Sequence, residues 1–279
     1  MKYKTNKAII LFICSIATLA LAGCGARSDQ TSPEMAQNML KIRGFNFNET
    51  EFFRALKLGD GVAVKGFLQG GINPNAKDKE GETALTFAIQ HDEAPIIKLL
   101  IEKADINLRD DLGNSPLHLA LKENKDQIFD LLLEKGADVN LPGRASEKTN
   151  DQTALYLAVA RNDADLVRRL LERGADPNLA DSAGSLPLVE AVVDSDADPE
   201  IVKMLIEKGA DVNKTEKENG ASALIFIAQN SQVPTETRVK IVKFLLEKGA
   251  DRSIRENDGK TALDWAKEKK NTETVELLK

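Results

Sequence analysis

A chain of 279 residues has room for two average domains, and at 42% hydrophobic and 29% charged it reads as a soluble, globular class of sequence. The formal charge is −6, and residues 1–23 hold Lys2, Lys4 and Lys7 with no acid, so the remainder carries −9. An acidic body with only 5% aromatic residues and no basic stripe excludes nucleic acid as a partner.

Residues 1–7 are basic, and residues 8–19 are apolar and uncharged. That is the pattern of a signal peptide, with an apolar stretch too short for a comfortable membrane span. Leu21-Ala22-Gly23-Cys24 follows and resembles a bacterial lipobox. The resemblance implies cleavage before Cys24, so that 1–23 is a removable leader, and several acyl chains on the mature cysteine. More than one chain gives stable anchoring. Gly25 in place of Asp points to the outer membrane in enteric-type sorting, with the body facing the periplasm. Of the two cysteines, Cys14 leaves with the leader, and Cys24 alone cannot form an intramolecular disulfide.

Residues 24–45 are predicted to be the lipidated cysteine and a tether. Residues 25–33 are rich in Ser, Gln, Thr and Asp. Ser32-Pro33-Glu34 then starts a short helix that ends near Arg43, with Gly44 as its stop. Fully extended, residues 25–45 would reach about 70 Å.

Residues 46–279 repeat one pattern. Gly136-Ala137-Asp138-Val139-Asn140 recurs as Gly174-Ala175-Asp176-Pro177-Asn178, Gly209-Ala210-Asp211-Val212-Asn213 and Gly249-Ala250-Asp251-Arg252-Ser253, with a looser copy at Gly71-Ile72-Asn73-Pro74-Asn75. Each follows an apolar run, most of them ending in charge, and glycine there closes a helix through the left-handed conformation. A second element precedes each helix pair: Thr83-Ala84-Leu85, Ser115-Pro116-Leu117, Thr153-Ala154-Leu155, Leu186-Pro187-Leu188, Ser222-Ala223-Leu224 and Thr261-Ala262-Leu263. Thr or Ser there is a good helix cap; Thr50-Glu51-Phe52 is a weaker first copy. From this element to the next Gly is commonly 19 residues and from that Gly onward 14, a period of 33.

A turn and two helices in 33 residues resembles the ankyrin repeat. Asp110-Asp111-Leu112-Gly113-Asn114-Ser115-Pro116-Leu117-His118-Leu119-Ala120 carries the likeness best. The resemblance implies an all-α solenoid of about seven helix–turn–helix units with projecting fingers, starting near Asn46, Asp78, Asp110, Leu141, Asp181, Lys214 and Glu256. The charged last unit suits a terminal repeat that no neighbour covers. Departures from the period fall at the missing Gly between Lys103 and Ala104, in a long finger at 141–151, and in helix–turn insertions near 194–199 and 229–237.

Catalytic motifs are not evident. His118 holds the signature's own histidine position, and His91 ends the preceding unit's first helix; with no third ligand they do not suggest a metal site. The chain is therefore expected to be no enzyme and to need no cofactor. The resemblance implies a protein–protein interaction module, tethered by lipid at Cys24. Narrower alternatives are an immunity-type inhibitor of an imported toxin, or an accessory to a periplasmic enzyme such as a catalase. On the family's usual surface the binding residues are Lys79, Glu80, Glu82, Asp111, Leu112, Asn114, Ser182, Ala183 and Ser185. Asp78, Glu80, Glu82, Asp110 and Asp111 lie close in the array with only Lys79 and Arg109 among them. They are expected to make a negative field for a partner that is basic where it docks.

Overall fold

The computed structural model describes residues 31–144 and 151–279. Cys14, Cys24 and residues 145–150 of the long finger lie outside them. The first element is the short helix expected in the tether, α1 (Pro33–Ile42). Ser32 caps it by accepting the Met35 N–H at 3.3 Å, and Pro33 takes the first turn, where no N–H is needed. Seven helix pairs follow: α2 (Glu49–Lys57) with α3 (Gly61–Gln69), α4 (Ala84–Gln90) with α5 (Ala94–Ile101), and α6 (Pro116–Lys122) with α7 (Asp126–Glu134). Then come α8 (Ala154–Ala160) with α9 (Ala164–Glu172), α10 (Pro187–Val193) with α11 (Pro199–Glu207), α12 (Ala223–Gln229) with α13 (Thr235–Glu247), and α14 (Ala262–Glu268) with α15 (Thr272–Leu278). Along the array, first helices pack on first helices and second on second, so each unit touches its neighbours. The strands among the described residues are one two-residue antiparallel ribbon, β1 (Gly143–Arg144) with β2 (Asp151–Gln152).

Thr83, Ser115, Thr153 and Thr261 each accept the N–H three residues on. Ser222 holds the same position without that bond, its hydroxyl buried and unpartnered. The first unit corrects the sequence reading: Asn48 caps α2 by accepting the Glu51 N–H at 2.9 Å, so Thr50 lies inside the first turn. Leu85, Leu117, Leu155, Leu188 and Leu224 are buried between helices, in one apolar core that runs from Leu40 to Leu278.

Gly71, Gly136, Gly174, Gly209 and Gly249 have φ of +86° to +96°, and the N–H after each reaches back five residues, as from Ala137 to the Leu132 carbonyl at 2.9 Å. Where unit two lacks this Gly, no residue from 102 to 106 has positive φ. The turn tightens instead, with the Ala104 N–H on the Leu100 carbonyl at 2.7 Å. The Asn of the same motif ties units together. Asn140 accepts the Asp176 N–H at 2.8 Å and donates to the Gly174 carbonyl at 3.2 Å. Asn178 does the same with Asp211 and Gly209, and Asn213 with Asp251 and Gly249.

Helix α1 lies against α3. Ala36 and Leu40 are buried, and the Gln37 amide donates to the Gly70 carbonyl at 3.1 Å. Gly66 admits Leu40, whose Cδ2 would be 3.2 Å from a Cβ there. The rings of Phe45, Phe47 and Phe52 gather around Phe67 with centroids 5.6 to 5.9 Å away. Among the described residues α1 is thus part of the packed array, and the eight residues 25–32 between it and Cys24 have a fully extended reach of about 30 Å, against about 70 Å for 25–45.

Candidate functional site

Between units the chain runs out into fingers whose tips share one turn. Asp78, Asp110 and Asp181 accept backbone N–H groups of their own turns, from Glu80 and Glu82, from Asn114, and from Ala183 and Ser185. Gly81, Gly113 and Gly184 sit in these turns at φ of +80° to +93°, where a side chain would be strained. Neighbouring tips are stitched by backbone bonds: Asp111 N–H to the Gly81 carbonyl at 3.0 Å, Arg144 to Gly113 at 3.2 Å, Ser182 to Asp151 at 3.0 Å, Lys217 to Gly184 at 3.5 Å and Asn257 to Asn219 at 2.8 Å. The tips therefore form one continuous row.

Of the nine residues expected to bind, Lys79, Glu80, Asp111, Leu112, Ser182 and Ala183 stand exposed on this row, and Glu82 and Ser185 are half-buried. Burial raises the Glu82 carboxyl first, with Asp78 adding to it. Asn114 is a correction: it is 7% exposed, and its amide donates to Asp110 at 3.0 Å. It closes the turn and presents nothing to a partner.

The negative field expected across fingers two and three is largely matched. Lys57 Nζ is 3.6 Å from Asp78, Lys77 is 2.5 Å from Asp111, and Lys79 is 3.3 Å from Glu80. Asp110 is turned inward. Lys57 sits on α2, so no local motif announces it; only the stacking of units brings it to the finger. A cleft of about 370 Å³ lies here, lined by Phe53, Arg54, Lys57, Lys77, Asp78 and Lys79 among others. In the next finger Arg109 and Arg144 converge on Asp151 at 2.9 and 3.1 Å, and Arg109 above all holds that carboxyl below its ordinary range. The described ends of the long finger are thus pinned by β1, β2 and this pair of arginines.

Negative charge collects further along, around Tyr156. Its hydroxyl donates to Glu190 Oε2 at 2.6 Å, and burial followed by that carboxylate pushes the phenol far above its usual value. The Glu216 carboxyl is raised by burial first, then by Glu190 and Asp181, while bonds to Leu186 and Asn219 oppose the rise. Neither Glu190 nor Glu216 meets a cation among the described residues.

His118 holds in unit three the position of Tyr156 in unit four. It is buried, with Nδ1 2.8 Å from Ser115 Oγ and Nε2 2.7 Å from the Gln152 carbonyl. Burial lowers it to about 4, so it is a neutral strut between a helix and the next finger. Gly143 makes this possible, since a Cβ there would be 2.5 Å from the ring. His91 is exposed and stacks on Phe87 at 4.0 Å. Among the described residues, no group of three or more His, Cys, Asp or Glu could hold a metal, and no helix is long and apolar enough to cross a membrane. The insertion near 229–237 is held by buried Arg238, which donates to the carbonyls of Asn230 at 3.2 Å and Val233 at 2.9 Å.

The family model for ankyrin repeats matches three times, over residues 52–143, 142–216 and 188–279. A putative ankyrin repeat protein of Rickettsia bellii (strain RML369-C) is 38% identical over 91 residues, which are 32% of this chain and 50% of that one. A putative ankyrin repeat protein of fowlpox virus (strain NVSL) is 52% identical over 58 residues, 20% of this chain and 11% of its own length. The chain thus spans half or less of these curated relatives. Among solved structures, the ankyrin repeat domain of Bcl-3, a unique member of the IkappaB protein family, superposes with a TM-score of 0.64 at 26% identity, covering 81% of this chain and 96% of that one.

Proposed function

This chain belongs to the ankyrin repeat family, whose repeats bind other proteins, and on that footing we propose a non-catalytic binding module held by lipid at Cys24 on a bacterial envelope, facing the periplasm. The observation that carries the reading is the stitched row of finger tips. It holds Lys79, Glu80, Asp111, Leu112, Ser182 and Ala183 outward on a backbone that is already ordered, so a partner meets a surface with little left to immobilise. The basic docking surface proposed for the partner now faces Glu190 and Glu216 rather than fingers two and three, whose acids are matched by lysines. The tether rests on the basic start, apolar stretch and Leu21-Ala22-Gly23-Cys24 of the sequence.

The test is capture of partners from the protein's own envelope by the full, lipid-bearing chain, beside Leu112→Arg and Ala183→Arg chains. One protein lost from both variant captures, at unchanged melting temperatures, supports the finger row. A partner retained by both removes it. Separately, a Cys24→Ser chain that is cleaved and partitions with membranes like its parent removes the lipid tether.

A further inference from the structure

Large apolar side chains exposed among the described residues are Met35 (58%), Met39 (51%), Ile42 (73%), Leu58 (65%), Val62 (60%), Leu112 (48%) and Val193 (41%). The first five lie within the first 32 described residues, at one end of the array. Met35, Met39 and Ile42 stand at i, i+4 and i+7 of α1, one stripe beside the Ala36 and Leu40 face that packs on α3. Met39 and Val62 share a groove of about 160 Å³ with Thr31, Arg43 and Lys65. The ion pair of Arg43 with Asp60 at 2.7 Å joins the end of α1 to the turn between Leu58 and Val62. The apolar residues thus form one surface, edged by exposed Lys41 and Lys65.

The opposite end is built differently. There Lys267, Glu268, Lys269, Lys270, Glu273 and Glu276 are exposed, the polar outer face that an uncovered terminal repeat needs. An apolar end is a liability in water unless something covers it. The same end is the one that the chain from Cys24 enters. Thr31 lines the groove, and residues 25–32 allow no more than about 30 Å between Cys24 and α1.

We propose that this end of the array seats on a lipid bilayer, with Met35, Met39, Ile42, Leu58 and Val62 in the interface and Lys41 and Lys65 toward anionic headgroups. The proposal rests on the lipid tether at Cys24. A short tether keeps the apolar face at high local concentration near the membrane, so a patch too small to bind alone docks once the acyl chains are in. Lysines at the edge of an apolar helix face suit the negative surface potential of anionic lipid. The array then stands on its N-terminal end, with the finger row running outward from the membrane.

The experiment uses the full, lipid-bearing chain in vesicles of phosphatidylethanolamine and phosphatidylglycerol. A polarity-sensitive fluorophore is placed through Met39→Cys and, as a control on the far unit, through Lys267→Cys; the parent chain, labelled alongside, reports any background reaction at Cys24. The expected result at position 39 is a blue shift and loss of about half the emission to brominated acyl chains, with position 267 unaffected. Adding Met35→Gln and Ile42→Gln, both at exposed sites, is expected to abolish that quenching without lowering the melting temperature. Equal, unquenched emission at 39 and 267 on protein that floats with the vesicles overturns the seating and leaves the tether intact. Protein that does not float overturns both. Shielding of position 39 without vesicles, at doubled mass in light scattering, gives the face to a second copy and also overturns the proposal.

Discussion

At the scale of single residues, burial keeps His118 and Tyr156 neutral at equivalent positions of successive units, lowering one titration and raising the other. For His118 this couples folding to pH. Held at about 4 when folded and near 6.5 when unfolded, it binds fewer protons in the folded state between those values. Its contribution is complete above about pH 6.5 and is lost as pH falls toward 4, by on the order of 3 kcal/mol. Glu82 and Glu216, raised by burial, act in the opposite direction, so the measurement is a difference. Urea unfolding of the parent from pH 7.5 to 4.5 should show a steeper loss than His118→Gln over the same range; equal slopes would mean that His118 takes up a proton without leaving its pocket. The structural role of His118 was legible because its position in the motif is local. That Asn114 faces inward, and that Lys57 and Lys77 match the finger acids, was not, because those facts depend on a turn's rotation and on groups 21 and 34 residues apart.

Helix ends decide what happens at the scale of elements. Five of the seven units close their second helix with a left-handed Gly, as the repeated motif predicts, because Gly and Asx chemistry acts over a few residues. In the second unit the missing Gly is absorbed by a tighter turn without a left-handed residue. Inserting Gly between Lys103 and Ala104 is therefore expected to be neutral to stabilising, within about 1 kcal/mol, by thermal unfolding. A large drop would show the short turn to be matched to the finger that follows. The turn inside the last pair carries the opposite defect. Asp92, Asn124 and Asn162 take the left-handed position in units two to four, but in the last unit it falls to Lys270 at φ +60°. Lysine has no short polar group to offset that conformation, so Lys270→Gly is expected to stabilise by about 1 kcal/mol, read as a rise in urea midpoint. Helix α1 was legible as a helix from Ser32-Pro33-Glu34, yet its docking was not. That depends on Gly66 and Gly70 opening space for Leu40 and Phe47 on another element.

Across the whole molecule, the number of units could be read because every unit repeats the same local physics, whereas the partner could not, because binding side chains are the ones that vary. What the period did not disclose is how the units are coupled. The Gly-Ala-Asp-x-Asn motif reads in sequence as a helix stop, but its Asn spans to the next unit and satisfies both a carbonyl and an N–H there. Stability of such an array is a sum of unit terms and nearest-neighbour terms, so weakening one central junction should be felt on both sides of it. Asn178→Ala leaves the Gly209 carbonyl and the Asp211 N–H without their 2.8 Å partners. Both groups lie near solvent, which sets the loss at about 1–2 kcal/mol. Ser253, at the end of the ladder, bonds among the described residues within its own turn, through Asp251 at 2.7 to 2.8 Å, so Ser253→Ala is expected to change little. Hydrogen exchange resolves the two cases: the central change should lower protection in the helices of units four and five together, while the terminal one leaves the array's middle untouched. Equal, uniform effects from the two substitutions would mean that packing between helices carries the coupling and that the Asn ladder only decorates it.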